Sequence, residues 1–125
     1  MRRRFGGVVL ALAACSAPSA KSFDISKLQP TVEADQKTLT GWFQTDGFRN
    51  FRLYPAKADL GQTGKGSCIS GIALSLAGIP TPDFNNRMMT ITGSIHRTGS
   101  AEAGSTADSC GSGIVLLAMD ISVPE

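Results

Sequence analysis

The segment from Arg87 to Arg97, RMMTITGSIHR, alternates apolar and polar side chains over most of its length. Met89, Ile91 and Ile95 fall on one side, and threonine, serine and histidine side chains fall on the other. Such alternation is typical of a β-strand that turns one face to a core and the other toward solvent. This segment is therefore the clearest strand in the chain and favours an all-β fold.

Other segments predict further strands, and loops rich in turn residues separate them. The 14 glycines among 125 residues favour turns and short strands over helices. Cys68 to Leu76 predicts a strand, with a short helix over its second half as the alternative. Gly113 to Ile121 predicts a buried final strand, and its continuous apolar run suits a strand covered on both sides. One face of it is expected to carry Val115, Leu117, Met119 and Ile121.

Lys37 to Pro55 predicts a β-hairpin, because Asp46-Gly47 separates two strand-like arms. The Asp-Gly pair is a strong hairpin signal, since both central positions of such a turn need positive φ. In this register Trp42 faces Phe51, and both faces of the hairpin are apolar. Either the hairpin is covered on both sides, or the loop is longer and the register shifts.

About five short strands joined by loops predict one domain built as a small, partly closed barrel. Several short segments carry a family resemblance: Gly41-Trp42, Phe51 to Pro55, Cys68 to Gly71, Thr90 to Gly93, and Cys110 with the terminal strand. In this order they resemble small exported bacterial proteins with an OB-like barrel. The resemblance implies a fold and carries no activity with it.

The first residues, MRRRFGGVVLALAACS, combine three arginines with an apolar stretch and small side chains. The stretch is far shorter than the roughly 20 residues of a membrane-spanning helix. Leu12-Ala13-Ala14-Cys15 resembles the lipobox of bacterial lipoprotein precursors. That resemblance implies removal of residues 1–14 and a lipid on Cys15. Because Ser16 stands where an inner-membrane retention signal has aspartate, it also implies the outer membrane, facing the periplasm.

Two alternatives for the leader stay open. One is an ordinary signal peptide cleaved after Ala17 or Ala20, and the other is twin-arginine export of the Arg2-Arg3-Arg4-Phe5 start. After the leader, residues 15–30 predict a flexible tether and residues 31–125 a single β domain. The alternative for the tether is docking of its apolar side chains on the domain, namely Phe23, Ile25 and Leu28.

Removing the leader changes both the charge and the number of cysteines. The whole chain has 12 basic and 10 acidic residues, but without three leader arginines the balance is 9 to 10, or −1. This charge disfavours a nucleic-acid partner. With Cys15 assigned to the lipid, Cys68 and Cys110 remain as a pair, in a compartment where disulfides persist.

No motif predicts an enzyme, a cofactor or a metal site. Residues 61–67, GQTGKGS, differ from a phosphate-binding loop, since Asp59 stands where a glycine is needed and Gly66 follows the lysine. His96 is the only histidine, and no Gly-x-Ser-x-Gly motif accompanies it. Asp108 and Asp120 are lone carboxylates rather than a paired acid and base.

The candidate binding surface is the hairpin, where Trp42, Arg52 and Tyr54 combine aromatic rings with a fixed charge. Barrel packing explains its two aromatic side chains equally well. We therefore expect a lipid-anchored, non-enzymatic interaction module for an envelope protein or cell-wall glycan.

The alternative function is inhibition of a periplasmic enzyme, for instance a lysozyme. Small disulfide-bonded β lipoproteins of that class carry a Ser-Gly-x-x-Tyr motif. Here Ser112-Gly113 is followed by Ile114, and the only tyrosine, Tyr54, follows Phe51-Arg52-Leu53. The chain therefore departs from that class at the motif that would carry the activity.

Overall fold

A computed structural model describes residues 21–32, 35–64, 66–78, 80–104 and 106–124. The leader and Cys15 lie outside these residues. The strands are β1 (Lys37–Gly47), β2 (Asn50–Tyr54), β3 (Ile69–Ala73), β4 (Arg87–Arg97) and β5 (Ile114–Ser122). Short 3₁₀ helices lie at Ile25–Lys27, Lys57–Asp59, Ser75–Ala77 and Pro82–Phe84. No helix in the described ranges is long and apolar enough to cross a membrane.

The five strands form a closed barrel in the order β1-β2-β3-β5-β4, with β4 paired back to β1. Neighbouring strands are antiparallel except β3 and β5, which are parallel. In the described residues, closure gives each strand a paired neighbour on both sides, which limits the edges at which another chain could pair. The predicted all-β, five-stranded OB-like barrel with one disulfide is therefore confirmed, and its ring is complete.

β4 supplies the interior side chains that its alternation predicts. Met89, Ile91 and Ile95 are at most 1% exposed, whereas the intervening side chains are half-buried. They belong to an interior cluster formed by all five strands, which contains Leu39, Phe43, Phe51, Leu53, Ile69, Met89, Ile91, Ile95, Ile114, Leu116 and Ala118.

β5 is covered on both sides, as predicted. Leu116 and Ala118 belong to the interior cluster, whereas Val115 and Leu117 pack outside it against Ala103. The register between β4 and β5 shifts at one point, because Thr92 faces Asp120 whereas the next residue, Gly93, faces Ala118. The skipped Met119 is a bulge that reverses the alternation, so Ile121 packs against the interior cluster. The predicted shared face of these side chains is therefore wrong beyond Leu117.

The β1–β2 turn lies at Phe48-Arg49, two residues beyond the predicted Asp46-Gly47 turn. Trp42 pairs with Tyr54, so the register is shifted from the one that the Asp-Gly signal predicts. The shift places Phe43 inside the barrel, while Trp42 and Tyr54 lie on its outer face against the disulfide. Both open alternatives therefore contribute, because the register shifts and the outer face is also covered.

Residues 21–32 lie against the barrel. Phe23 and Leu28 pack on the interior cluster, and Gly41 lets the Phe23 ring approach, since a Cβ there would lie 2.9 Å from it. The main-chain N–H of Ser22 donates to Pro55 O and that of Thr31 to Ile95 O, both at 2.9 Å. Residues 21–30 of the predicted tether are therefore docked on the barrel, which is the alternative to a flexible tether. Residues 15–20 lie outside the described part of the chain.

Candidate functional site

Cys68 and Cys110 form a disulfide, with a Cα–Cα distance of 5.4 Å that lies inside the range for such bridges. The predicted pairing is therefore confirmed. The bridge joins the chain entering β3 to the loop that precedes β5. Both cysteines are fully buried, and they pack against Tyr54, with Trp42 and Leu60 at the edge of this cluster. Its burial marks the bridge as structural.

Tyr54 connects the disulfide cluster to the polar surface of the hairpin. Its hydroxyl donates to Gln62 O at 2.8 Å and accepts from Arg52 Nε at 3.0 Å. The side chain is 0% exposed, so it offers no surface to a partner. Of the three predicted binding residues, Tyr54 is therefore a buried support for the site.

Tyr54→Phe is expected to lower the free energy of unfolding by about 1–2 kcal/mol, because the buried ring keeps its packing but Gln62 O loses its donor. Urea denaturation measures the change. Thr38→Val is the control, since its hydroxyl pairs with Thr92 at an exposed position and its loss should cost less than about 0.5 kcal/mol. Equal effects of the two variants would contradict the structural role of the tyrosine hydroxyl.

Arg52 is held in a charge-paired fork on the outer face of β2. Its Nη1 donates to Asp46 Oδ2 at 2.7 Å and its Nη2 to Asp46 Oδ1 at 3.3 Å. The bond with the Asp46 carboxylate raises the pKa of Arg52 above its ordinary value, although partial burial opposes this. The side chain of Asp46 is 69% exposed and that of Arg52 only 15%. The pair therefore presents a carboxylate to solvent and a guanidinium fixed behind it.

A cleft of about 130 Å³ opens beside this ion pair. We call it the β2–β3 cleft, and its polar lining is Asp46, Asn50, Arg52, Ser70 and Ser109. Ser70 Oγ accepts from Cys110 N at 3.0 Å and lies 3.3 Å from Ser109 Oγ. In OB-fold barrels the ligand face is formed by strands 2 and 3 with the β1–β2 and β4–β5 loops. The cleft occupies the corresponding position here.

Phe48, at the tip of the β1–β2 turn, lies between two cleft residues in the chain, Asp46 and Asn50. Its side chain is 72% exposed and its φ is 54°. Glycine or asparagine normally occupies such a position, because positive φ strains a bulky residue. Arg49 Cζ lies 5.9 Å from the ring centroid, and Arg49 Nη1 donates to Ala73 O at 3.1 Å. The neighbouring arginine is thereby tied to the end of β3.

Trp42 lies away from the cleft, on the disulfide side of the hairpin. The ring is half-buried and Lys57 Nζ lies 5.2 Å from its centroid. Among the predicted surface residues, only Arg52 lines the cleft. Sequence reasoning missed Asn50, Ser70, Ser109 and Phe48. An aromatic residue directly after Asp-Gly was the one local signal for them.

A second recess, of about 720 Å³, lies between the N-terminal segment and the end of β4. Ser94 Oγ and His96 Nε2 lie 2.8 Å apart there, on the polar face predicted for His96. Ser94 is the one hydrogen-bond partner of His96 among the described residues, so no Ser–His–acid arrangement forms within them. The described residues also contain no group of three His, Cys, Asp or Glu side chains that could hold a metal ion.

Comparison with known proteins gives no match to a protein-family model and none to a curated protein. Among solved structures, the barrel is similar to "OBody AM2EP06 bound to hen egg-white lysozyme". The TM-score is 0.44 and the sequences are 14% identical, over 82% of this chain and 92% of that chain. At that level of similarity we base no functional argument on the match.

Proposed function

We propose that this protein is a lipid-anchored envelope module that binds a partner and catalyses no reaction. Its binding surface is the β2–β3 cleft together with the turn that carries Phe48. The observation that carries the proposal is the exposure of this aromatic ring at positive φ. The fold requires positive φ at this position, but it does not require an aromatic side chain there, since glycine or asparagine would fit with less strain. Aromatic and arginine side chains are enriched in binding surfaces, and Arg49 and Arg52 lie beside it.

The anchor follows from the leader. Lipidation of Cys15 at the outer membrane, facing the periplasm, would hold the barrel close to the bilayer. Ser22, which already contacts the barrel at Pro55, follows Cys15 by seven positions. Seven steps along the chain span at most about 25 Å. The tether is therefore shorter than the chain from residue 15 to residue 30 would allow.

The N-terminus of the mature protein is expected to be a lipid-modified Cys15. Mass spectrometry of the membrane-extracted protein should find an N-terminal peptide that begins at this residue and carries acyl chains. The Cys15→Ser variant should lose the modification and the membrane association, since two or three acyl chains make the anchoring essentially permanent. An unmodified chain that begins at Pro18 or Lys21 would exclude the lipoprotein assignment.

Binding is tested by cross-linking in intact cells and then isolating the protein from the envelope extract. The full-length protein should retain one envelope component reproducibly, and the Phe48→Asn variant should retain much less of it. Asparagine tolerates positive φ, so the variant keeps the turn. Failure of the native protein to retain any protein or glycan under these conditions would exclude the proposed function.

Inhibition of a periplasmic enzyme is the alternative, and the shape of the hairpin favours it. The pairing of β1 with β4 ends at Phe43, whereas its pairing with β2 continues to Gly47, so the hairpin tip lies beyond the start of β4. A hairpin tip that carries the exposed Phe48 side chain suits insertion into an enzyme cleft. A lysozyme activity assay with added protein decides between the two, since a binding module without inhibitory activity leaves the rate unchanged.

A further inference from the structure

We infer that the ligand of the β2–β3 cleft is an uncharged sugar chain, which the envelope offers as cell-wall glycan. This inference rests on the proposed function and specifies the chemistry of its partner. Three properties of the described residues carry it: the size of the cleft, its polar side chains, and the aromatic ring on the adjoining turn.

The size of the cleft favours part of a polymer over a free small molecule. Sites that enclose a small ligand usually measure about 300–1,000 Å³. The β2–β3 cleft measures about 130 Å³. It can hold a single substituent or the edge of one ring, while the rest of the ligand stays on the surface. A chain of linked sugar rings meets this requirement.

The lining of the cleft suits hydroxyl groups, which donate and accept hydrogen bonds at the same time. The exposed Asp46 carboxylate supplies acceptors, and the exposed Asn50 side chain supplies both a donor and an acceptor. Arg52 holds the carboxylate in place through its own hydrogen bonds. Ser109 adds an exposed hydroxyl group, and the buried Ser70 hydroxyl lies 3.3 Å from it. A ligand rich in neighbouring hydroxyl groups can satisfy this mixed lining.

The charge of the cleft disfavours a phosphate-bearing ligand. Arg52 is the lining cation, and both of its terminal nitrogens already donate to the Asp46 carboxylate. The exposed carboxylate would repel a phosphate that approached the same guanidinium. Single-stranded nucleic acids bind along positively charged grooves, and this cleft is electrically balanced. An uncharged polar chain avoids this repulsion.

Phe48 supplies the apolar part of the site. A pyranose ring has a C–H face that packs on an aromatic ring, with hydroxyl groups at its edge that reach polar side chains. The exposed ring of Phe48 lies two residues from Asp46 on one side and two from Asn50 on the other. Two residues span at most about 7 Å, so a chain of sugars with one ring stacked on Phe48 can also reach the cleft residues on both arms of the hairpin.

The test measures binding of the full-length chain to two glycan probes, purified peptidoglycan sacculi and the soluble hexamer of N-acetylglucosamine. The native protein should co-sediment with sacculi. Phe48→Asn should weaken binding about tenfold, since stacking of a nucleic-acid base on an aromatic ring contributes about 1–3 kcal/mol and we expect a sugar ring to lie near the lower end. Val32→Asn is the matched control, because Val32 is 67% exposed at the other recess and its replacement should leave binding unchanged.

Three outcomes would overturn the inference. The first is no binding to either glycan at about millimolar concentration. The second is equal binding by Phe48→Asn and the native protein. The third is retention of an envelope protein or of lipid vesicles, without glycan, that depends on Phe48. The last outcome would leave the proposed binding function standing and reject only the sugar. Because asparagine relieves the strained φ, Phe48→Asn should unfold no more easily than the native protein, which separates lost binding from lost folding.

Discussion

The variant with Cys68→Ala and Cys110→Ala is expected to lose about 4 kcal/mol of unfolding free energy relative to the oxidised protein. The bridge joins residues 42 apart in sequence, so it removes a large part of the freedom of the unfolded chain. Both sulfur atoms are buried under Tyr54, so their loss also opens space in that cluster. A domain of this size has only about 5–15 kcal/mol to lose.

Guanidinium denaturation of the double variant and of the oxidised native protein measures this difference. Native protein in strong reductant is the second measurement, because it lacks the bridge but keeps both sulfur atoms. It should lie close to the double variant, slightly on the stable side. A loss below about 1 kcal/mol in both would show that the unfolded chain is already restricted without the bridge.

Gly93→Ala is expected to destabilise the barrel by about 3 kcal/mol, because a methyl group has no room between β4 and β5. A Cβ at this position would lie 2.1 Å from Leu117 O and 2.9 Å from Ala118 Cα. These are main-chain atoms, so relief requires the two strands to move apart. Gly93 also faces Ala118 at the register shift, next to the skipped Met119.

The control for this variant is Gly64→Ala. Nothing lies within 4 Å of a Cβ there, and Gly64 has no positive φ that alanine would resist. Alanine should therefore be neutral or should stabilise the protein by up to about 1 kcal/mol. Thermal melting of the two variants compares them directly. Similar melting temperatures would mean that β4 and β5 separate easily at the bulge.

Much of the barrel was predictable because strand periodicity is a local property. β4 shows its alternation within eleven residues, and Met89, Ile91 and Ile95 are buried as it predicts. The apolar run of β5 likewise indicates burial on both faces. The bulge at Met119 was not predictable, because the chain of β5 carries no local sign of a residue skipped by its partner.

The hairpin shows why a strong local signal can fail. Asp46-Gly47 favours a two-residue turn, yet the turn lies at Phe48-Arg49. A turn at Asp-Gly would place Phe43 and Leu53 on opposite faces, whereas the observed register places both in the interior cluster. Burial of two large apolar side chains outweighs the roughly 1–2 kcal/mol that positive φ costs at Phe48.

The candidate site divides in the same way. Arg52 was predictable as a charged residue on an exposed hairpin face, and the sequence also indicates the aromatic character of Trp42 and Tyr54. How deeply these two side chains are buried was not predictable. Tyr54 is buried because the disulfide and the Gln62 carbonyl cover it, and these come from elsewhere in the chain. The same pattern of aromatic residues would be a surface in a hairpin without that cover.

By itself, the sequence determined what depends on neighbouring residues or on counting: the β periodicity, the charge without the leader, and the pairing of the two remaining cysteines. The tertiary structure decided what depends on strand pairing between distant segments: the hairpin register, the bulge in β5, and the β2–β3 cleft. Ser70 and Ser109 meet across 39 positions of sequence only because β3 lies parallel to β5 and the disulfide holds the loop before it. Register is set by which side chains the closed barrel can bury, and no single segment carries that information.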